Sequence, residues 1–411
     1  MSTMNNTTID TRTAEFRLPL DDETNWLYEQ RKQAWETYSS LPLPDRVKHL
    51  WRYTDPRVFV PTEDFDSAVI TGSLEGDLPA EATDAGVQLI ELEEAAESHA
   101  DLLQQHLGSL VGPDFDTFEA FNFAAARLGW VLIIPDNAEF EAPIHLRRST
   151  NGGLFATRLL VIAGKNAEVS IVDEYNGESG VHGQINSVVE VIAHDAARVK
   201  IATTVDLPDN QTLFLTQRNK IGRDVDLQST GLSLNAGIAK INWSTLLAGR
   251  GASSRWSGLL LGDKEQHFDM HTRHQHTSGE SFSDLLYKVA LRDNSMSAYT
   301  GLIAIDEHAA VCEAYQENRN LLLSETAHVE SIPELEIVND DVKCSHGVTV
   351  GPLEEEQLFY FESRGIHRDE AMRIILAGYY EAVLERLPKG YVETGREALL
   401  NKLMGDSRHG G

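Results

Sequence analysis

Cysteine is nearly absent from this chain: Cys312 and Cys344 are the only two among 411 residues. That excludes a disulfide scaffold and fits a reducing compartment. Two thiols also fall short of the four thiolates of an ordinary iron–sulfur site, so any contact with such a cluster would be shared with another subunit or transient. Long apolar runs are missing as well. None approaches the roughly 18 residues of a membrane span, and the polar first 13 residues lack the basic start and apolar core of a signal peptide. A cytoplasmic protein without a membrane partner is expected. Basic residues are scarce: 35 Lys and Arg face 64 Asp and Glu, for a formal charge of −29. A field of that sign opposes nucleic acid and anionic membranes, so no nucleic-acid partner is expected. The acidic residues are spread rather than bunched, which is compatible with a salt-rich cytoplasm. No phosphate-binding loop of the G-x-x-x-x-G-K-S/T type occurs, so no nucleotide is expected on this chain, and no G-x-S-x-G elbow is present either.

Three textures succeed one another along the chain. Over residues 26–53, Trp26, Tyr28, Ala34, Trp35 and Tyr38 recur at helical spacing, interrupted by Pro42 and Pro44. Residues 63–84 are acidic with Gly72, Gly76 and Pro79 and read as a connector; 92–110 and 115–128 read as helices. From Trp130 onward, short apolar runs alternate with turn residues: 130–135, 159–163, 169–172, 188–192, 199–205, 213–215, 225–227, 232–234, 238–241, 246–247 and 259–261. Strands in so long a series, at steps of about 8 to 12 residues, favour a β-solenoid over a sandwich or barrel, although no tight repeat is visible. After Gly351 helices resume: 353–364 with Gly365 placed for a left-handed end, then a stripe of Met372, Ile375, Leu376, Tyr379, Val383 and Leu387 closed by Pro388 and Gly390. The expected division is a helical region with an acidic connector over 1–128, a β core over 129–351 and a helical domain over 352–411.

Two constellations could carry chemistry. In the β-branched stretch Asp340-Asp341-Val342-Lys343-Cys344-Ser345-His346-Gly347-Val348, Cys344 and His346 are two apart and share a face of a strand, with Lys343 on the other. A thiolate beside an imidazole suits zinc, copper or iron–sulfur chemistry, or a nucleophile and its base; a strand with one buried cysteine is the bland alternative. The second constellation spans 267–276. There His267, Asp269 and His271 share one face and His274 and His276 the other. The first three could hold zinc or iron(II), with His274 as a further candidate; polar solenoid surface or a subunit contact is the simpler reading. Cys312 reads as a buried small hydrophobe.

The run DVKCSHGVTVG, followed by EEEQLFYFESRGI and a helical tail, resembles the SufB/SufD family of the SufBCD iron–sulfur cluster assembly complex, on its SufD side. QENRNLLLSETAHVESIPELEIVNDDV and, near the N-terminus, LPLPDRVKHLWRYTDPRVF fit the same family, so the resemblance covers nearly the whole chain. It implies a mainly β fold: a right-handed parallel β-helix core flanked by N-terminal and C-terminal helical domains. It also implies a non-catalytic scaffold that pairs with the paralogue SufB through the β-helix. Its C-terminal helical domain would bind the ATPase SufC, with Phe359, Tyr360, Arg364 and Gly365 as the family-like positions. Cys344 and His346 would help form a transient iron–sulfur cluster shared with SufB, exposed when ATP-driven SufC dimerisation rearranges the interface. A homodimer of the isolated chain is compatible with this reading. A SufB-like scaffold is the rival, but Gly347 stands where SufB typically has Glu, and only Cys312 is available as the further cysteine SufB carries. A β-helix polysaccharide lyase would show similar strands but needs clustered carboxylates with basic residues on one face. The family shows an Asp and a His near 267–276 but not this many histidines.

Overall fold

A computed structural model describes residues 25–46, 49–61 and 72–405. Residue 62 with part of the acidic connector, 63–71, the start of the helical stretch expected at 47–53 and the polar N-terminal residues read for targeting lie outside the described residues. The chain enters through α1 (Asn25–Ser40), which stops ahead of Pro42, then β1 (Gly72–Asp77), α2 (Ala80–Asp84), β2 (Gln88–Glu91), α3 (Leu92–Ser98), α4 (Ala100–His106) and α5 (Thr117–Ala125). Strands then follow with no α-helix between them: β3 (Leu128–Ile134), β4 (Ile144–Thr150), β5 (Gly153–Ala163), β6 (Glu168–Gly177), β7 (Gly183–Ala193), β8 (Arg198–Asp206), β9 (Gln211–Ile221) and β10 (Asp226–Asn235). The series continues with β11 (Ile238–Leu247), β12 (Ser253–Gly262), β13 (His267–His276), β14 (Phe282–Leu291), β15 (Met296–Ile305), β16 (Cys312–Leu322), β17 (His328–Ile337) and β18 (Val342–Pro352). Three helices close the described chain: α6 (Glu355–Glu362), α7 (Arg368–Leu384) and α8 (Val392–Met404).

Even-numbered strands from β4 to β18 pair in parallel in one sheet and odd-numbered strands from β3 to β17 in the other. Each nine-stranded sheet begins with an antiparallel strand, β1 on β4 and β2 on β3, which leaves eight parallel strands per sheet and eight coils of a solenoid. Register partners such as Thr212 and Ile238, or Met296 and His328, stand on alternate strands of the chain, so one coil is two strands long. The shorter step read from the sequence is therefore corrected. The run at 225–227 leads into the single strand β10, which also holds 232–234, and 238–241 and 246–247 belong to β11. Polar residues inside each strand split its apolar pattern in two.

Alternation along the strands explains both faces. In β5, Phe155, Leu159, Val161 and Ala163 point into the lumen between the sheets, while Leu154, Leu160 and Ile162 point outward against α1, α3, α4 and α5. The other sheet does the same on its far side. Val172, Ala202, Leu232, Leu234, Leu259 and Leu261 pack outward against Leu376, Tyr380, Val383 and Leu384 of α7 and Leu399 and Leu403 of α8. A strand covered on both faces reads as a continuous apolar run, which is why 159–163 and 188–192 stand out in the sequence. The C-terminal unit is three helices, and it lies back along the solenoid. The region before residue 129 likewise holds two strands among its helices, because β1 and β2 cap the first coil. No helix among the described residues is long and apolar enough to cross a membrane.

Candidate functional site at the open end of the solenoid

The first coil is flanked by antiparallel strands; the last is not. β17 and β18 each end a sheet, and each has a neighbour on one edge only. Their side chains continue the lumen rows of the coil below. Ala314 and Gln316 of β16 are buried, and their register partners on β18 are Cys344 and His346. Cys344 and Val342 pack on Ile303, Ile305, Ala309, Cys312 and Ala314. His346 sits one rung, about 4.8 Å, above Gln316, whose buried carboxamide has neither its nitrogen nor its oxygen hydrogen-bonded among the described residues. The two candidate residues thus share one inward-directed face with no further coil above them. Lys343 points the other way, as its position predicts, and pairs with Glu313 at 2.7 Å.

Apolar residues surround this pair. Val348 and Val350 of β18 and Leu335 and Ile337 of β17 are all exposed, Val350 to 51%. Sequence reading missed them as functional residues. The signal was there in their alternation, which matches that of buried lumen residues one coil earlier. Unpaired strand edges bearing apolar side chains are templates for further pairing.

Cys344 is half-buried, and burial pushes its thiol above the ordinary value. As a ligand it would have to give up its proton on binding a metal ion. With His346 it offers two donors, half of a tetrahedral set. Among the described residues no group of three or more His, Cys, Asp and Glu side chains is placed to hold a metal ion.

The residues at 267–276 are brought together differently from the sequence expectation. The two faces are as read, but neither is polar surface, because β13 is covered outside by the 50–54 segment and inside by the lumen. Asp269 accepts from Thr54 Oγ1 at 2.5 Å, lies 2.8 Å from His271 Nε2 and pairs with Lys240 at 3.0 Å. Thr54 also meets His267 at 2.9 Å, and Lys240 donates to the Leu50 carbonyl. Burial alone would raise the Asp269 carboxyl; Lys240 and the hydrogen bonds from His271 and Thr54 outweigh it and hold the carboxyl well below the usual range. This carboxylate is already saturated by an ammonium ion and two donors, which leaves the metal reading without support. Inside, His274 meets Ser254 at 3.1 Å, and His276 bridges Ser281 at 2.8 Å and Ser283 at 2.9 Å. Cys312 is fully buried, as expected of a small hydrophobe, with Sγ 3.1 Å from Ser281 Oγ.

The four C-terminal positions come together on α6 and the turn that ends it. Leu358 is buried and anchors the helix, leaving Phe359 and Tyr360 exposed to 70% and 54%. The Arg364 guanidinium lies 4.4 Å from the centre of the Tyr360 ring. Gly365 has φ +82° and nothing within 4 Å of where a Cβ would be, so its role is the left-handed turn itself. Arg368 of α7 pairs with Glu355 and ties the two helices.

The chain is a parallel two-sheet solenoid, flanked by antiparallel strands at one end and clad with helices on both outer faces. Two family models match the chain: the SufBD core domain of SUF-system FeS cluster assembly over residues 146–379, and the SufBD protein N-terminal region over 67–146. The chain belongs to the SufBD family. It is 28% identical over 399 residues to iron–sulfur cluster assembly protein SufD of Bacillus subtilis, covering 89% of this chain and 91% of that one. It is 25% identical over 337 residues to SufB of the same organism, covering 81% and 71%. A shorter match, 34% over 167 residues, covers 41% of this chain and 40% of SufD of Escherichia coli.

Proposed function

We propose that this chain is the SufD-like scaffold subunit of a SufBCD complex and that its open solenoid end pairs with SufB. The observation that carries this is the unclosed last coil, where Cys344 and His346 share an inward-directed face ringed by exposed Leu335, Ile337, Val348 and Val350. A second solenoid end docked there would bury the apolar ring, pair the free strand edges and supply the ligands that two donors lack. The nascent iron–sulfur cluster is cargo in this reading, held across the junction by thiolate and imidazole. The match to SufD spans more of both chains than the match to SufB, 89% and 91% against 81% and 71%, which supports the SufD-like assignment. SufC, the ATPase, would dock on α6 around Phe359, Tyr360 and the Arg364–Gly365 turn, so that this chain itself turns over no nucleotide. Movement of α6 and α7 would then be transmitted to the outer face of the solenoid and to its open end.

The test is co-expression with SufB and SufC, followed by size-exclusion chromatography and assay of iron and acid-labile sulfide. The wild-type chain is expected to elute with both partners. His346→Ala is expected to lower iron and sulfide in a complex of normal composition; a His346→Ala complex with normal iron and sulfide would refute the site.

A further inference from the structure

A cleft of about 290 Å³ lies between the N-terminal segments and the outer face of the odd-numbered sheet, on the side away from the lumen, and reaches Glu334 of β17. One wall is apolar, formed by Leu50, Trp51, Phe115 and Phe214; the other carries Arg218 and Arg273. Arg218 of β9 is in register with Ser244 of β11, and Ser244 with Arg273 of β13. The two guanidinium-bearing residues therefore stand two rungs apart on one outward row, about 10 Å between their backbones, with a serine hydroxyl between them.

In a chain with 64 acidic residues against 35 basic ones, both arginines lack an ion pair or a hydrogen bond to any described residue. Arg218 lies 5.0 Å from the centre of the Phe115 ring, and its Nε is buried without a partner. The acids of the cleft are occupied elsewhere: Asp116 caps α5 through Thr117 N at 2.7 Å, Glu119 accepts from Thr216 Oγ1 at 2.7 Å, and Glu334 is itself not free. Burial pushes the Glu119 carboxyl up, and its charge acts on Arg218 from the same cleft. Burying an arginine without a carboxylate is costly unless something else satisfies it.

We propose that this cleft binds a small amphipathic oxyanion. A carboxylate or phosphate head sits between the forks of Arg218 and Arg273, and an apolar or aromatic body lies against Trp51, Phe115 and Phe214. Paired guanidinium forks suit planar carboxylate and tetrahedral phosphate alike, and the volume limits the ligand to a single-ring body. This site is independent of the assembly reading and would stand if that reading fell.

The experiment titrates the full-length protein with benzoate, phenyl phosphate and inorganic phosphate, followed by tryptophan fluorescence and calorimetry, with benzyl alcohol as the neutral counterpart. Benzoate or phenyl phosphate is expected to saturate one site and benzyl alcohol to leave it empty. The comparison of benzoate with phenyl phosphate decides between the two head groups. Arg273→Gln, a change at an exposed side chain, is expected to weaken binding about tenfold or more without moving the thermal midpoint. Arg218→Lys, which keeps the charge but loses the fork, is expected to weaken it as well. Equal binding by Arg273→Gln, equal binding of benzyl alcohol, inorganic phosphate binding as tightly as phenyl phosphate, or no saturable binding of any anion would each overturn the proposal.

Discussion

Cys312 and Cys344 lie in one cluster around Ile303 and Ile305, yet only Cys344 reaches solvent. Thiol labelling of the native protein is expected to count one cysteine and labelling after unfolding two, with Cys344→Ser removing the native signal. Because burial raises the Cys344 thiol, its alkylation should lag behind free cysteine near pH 7.5 and accelerate above the ordinary value of about 8.5. Two fast native thiols would contradict the placement. A second residue-scale prediction concerns His274 and His276, which burial holds neutral down to about 3 and about 4. An unfolded histidine takes its proton near 6.5. Between pH 6.5 and 5 the unfolded state therefore binds protons that the native state refuses, and stability falls as pH is lowered. Each histidine contributes a slope of up to about 1.4 kcal/mol per pH unit. Urea midpoints at pH 5 and 6.5 should converge in His274→Gln, His276→Gln relative to the wild type; an unchanged slope would sink the explanation.

At the scale of elements, β18 is the strand whose exposure carries the assembly argument. Val350→Lys places an ammonium on the free lumen row, the same device by which edge strands avoid pairing. Half-exposed Val350 gives up little burial, so the isolated chain should keep its stability within about 0.5 kcal/mol. Co-elution with SufB should nevertheless be lost, and intact pairing on size exclusion would refute β18 as the docking edge. Strand content, the faces of 267–276 and the left-handed Gly365 were all legible from local pattern. The coil period was not, because it is written in conformation rather than in residue identity. Asn137, Asn166, Ala196, Asp224, Gly251, Glu280 and Val311 all take positive φ, one turn of the solenoid after another, yet seven positions use six residue types. Burial of His271 was hidden for a different reason: the segment that covers it, around Leu50 and Thr54, comes from the N-terminal region, and nothing local announces it.

For the whole molecule, the helices are cladding rather than appendages. Removing residues 353–411 would bare Leu232, Leu234, Leu259 and Leu261, each now almost fully buried beneath α7 and α8. At about 1.5 to 3 kcal/mol for each such side chain, the truncated solenoid should lose several kcal/mol and turn insoluble. A soluble truncation with an unchanged urea midpoint would show the cladding to be dispensable. The difference between the two ends of the solenoid also bears on assembly. A stack of coils open at both ends could grow without limit, each copy templating the next, as fibres do. Here β1 and β2 run against the direction of the coils, so the two ends of the solenoid present outer strands of different kind, antiparallel at one end and parallel at the other. Joined through its parallel end to another chain of the same kind, it would make a rod that carries antiparallel strands at both tips.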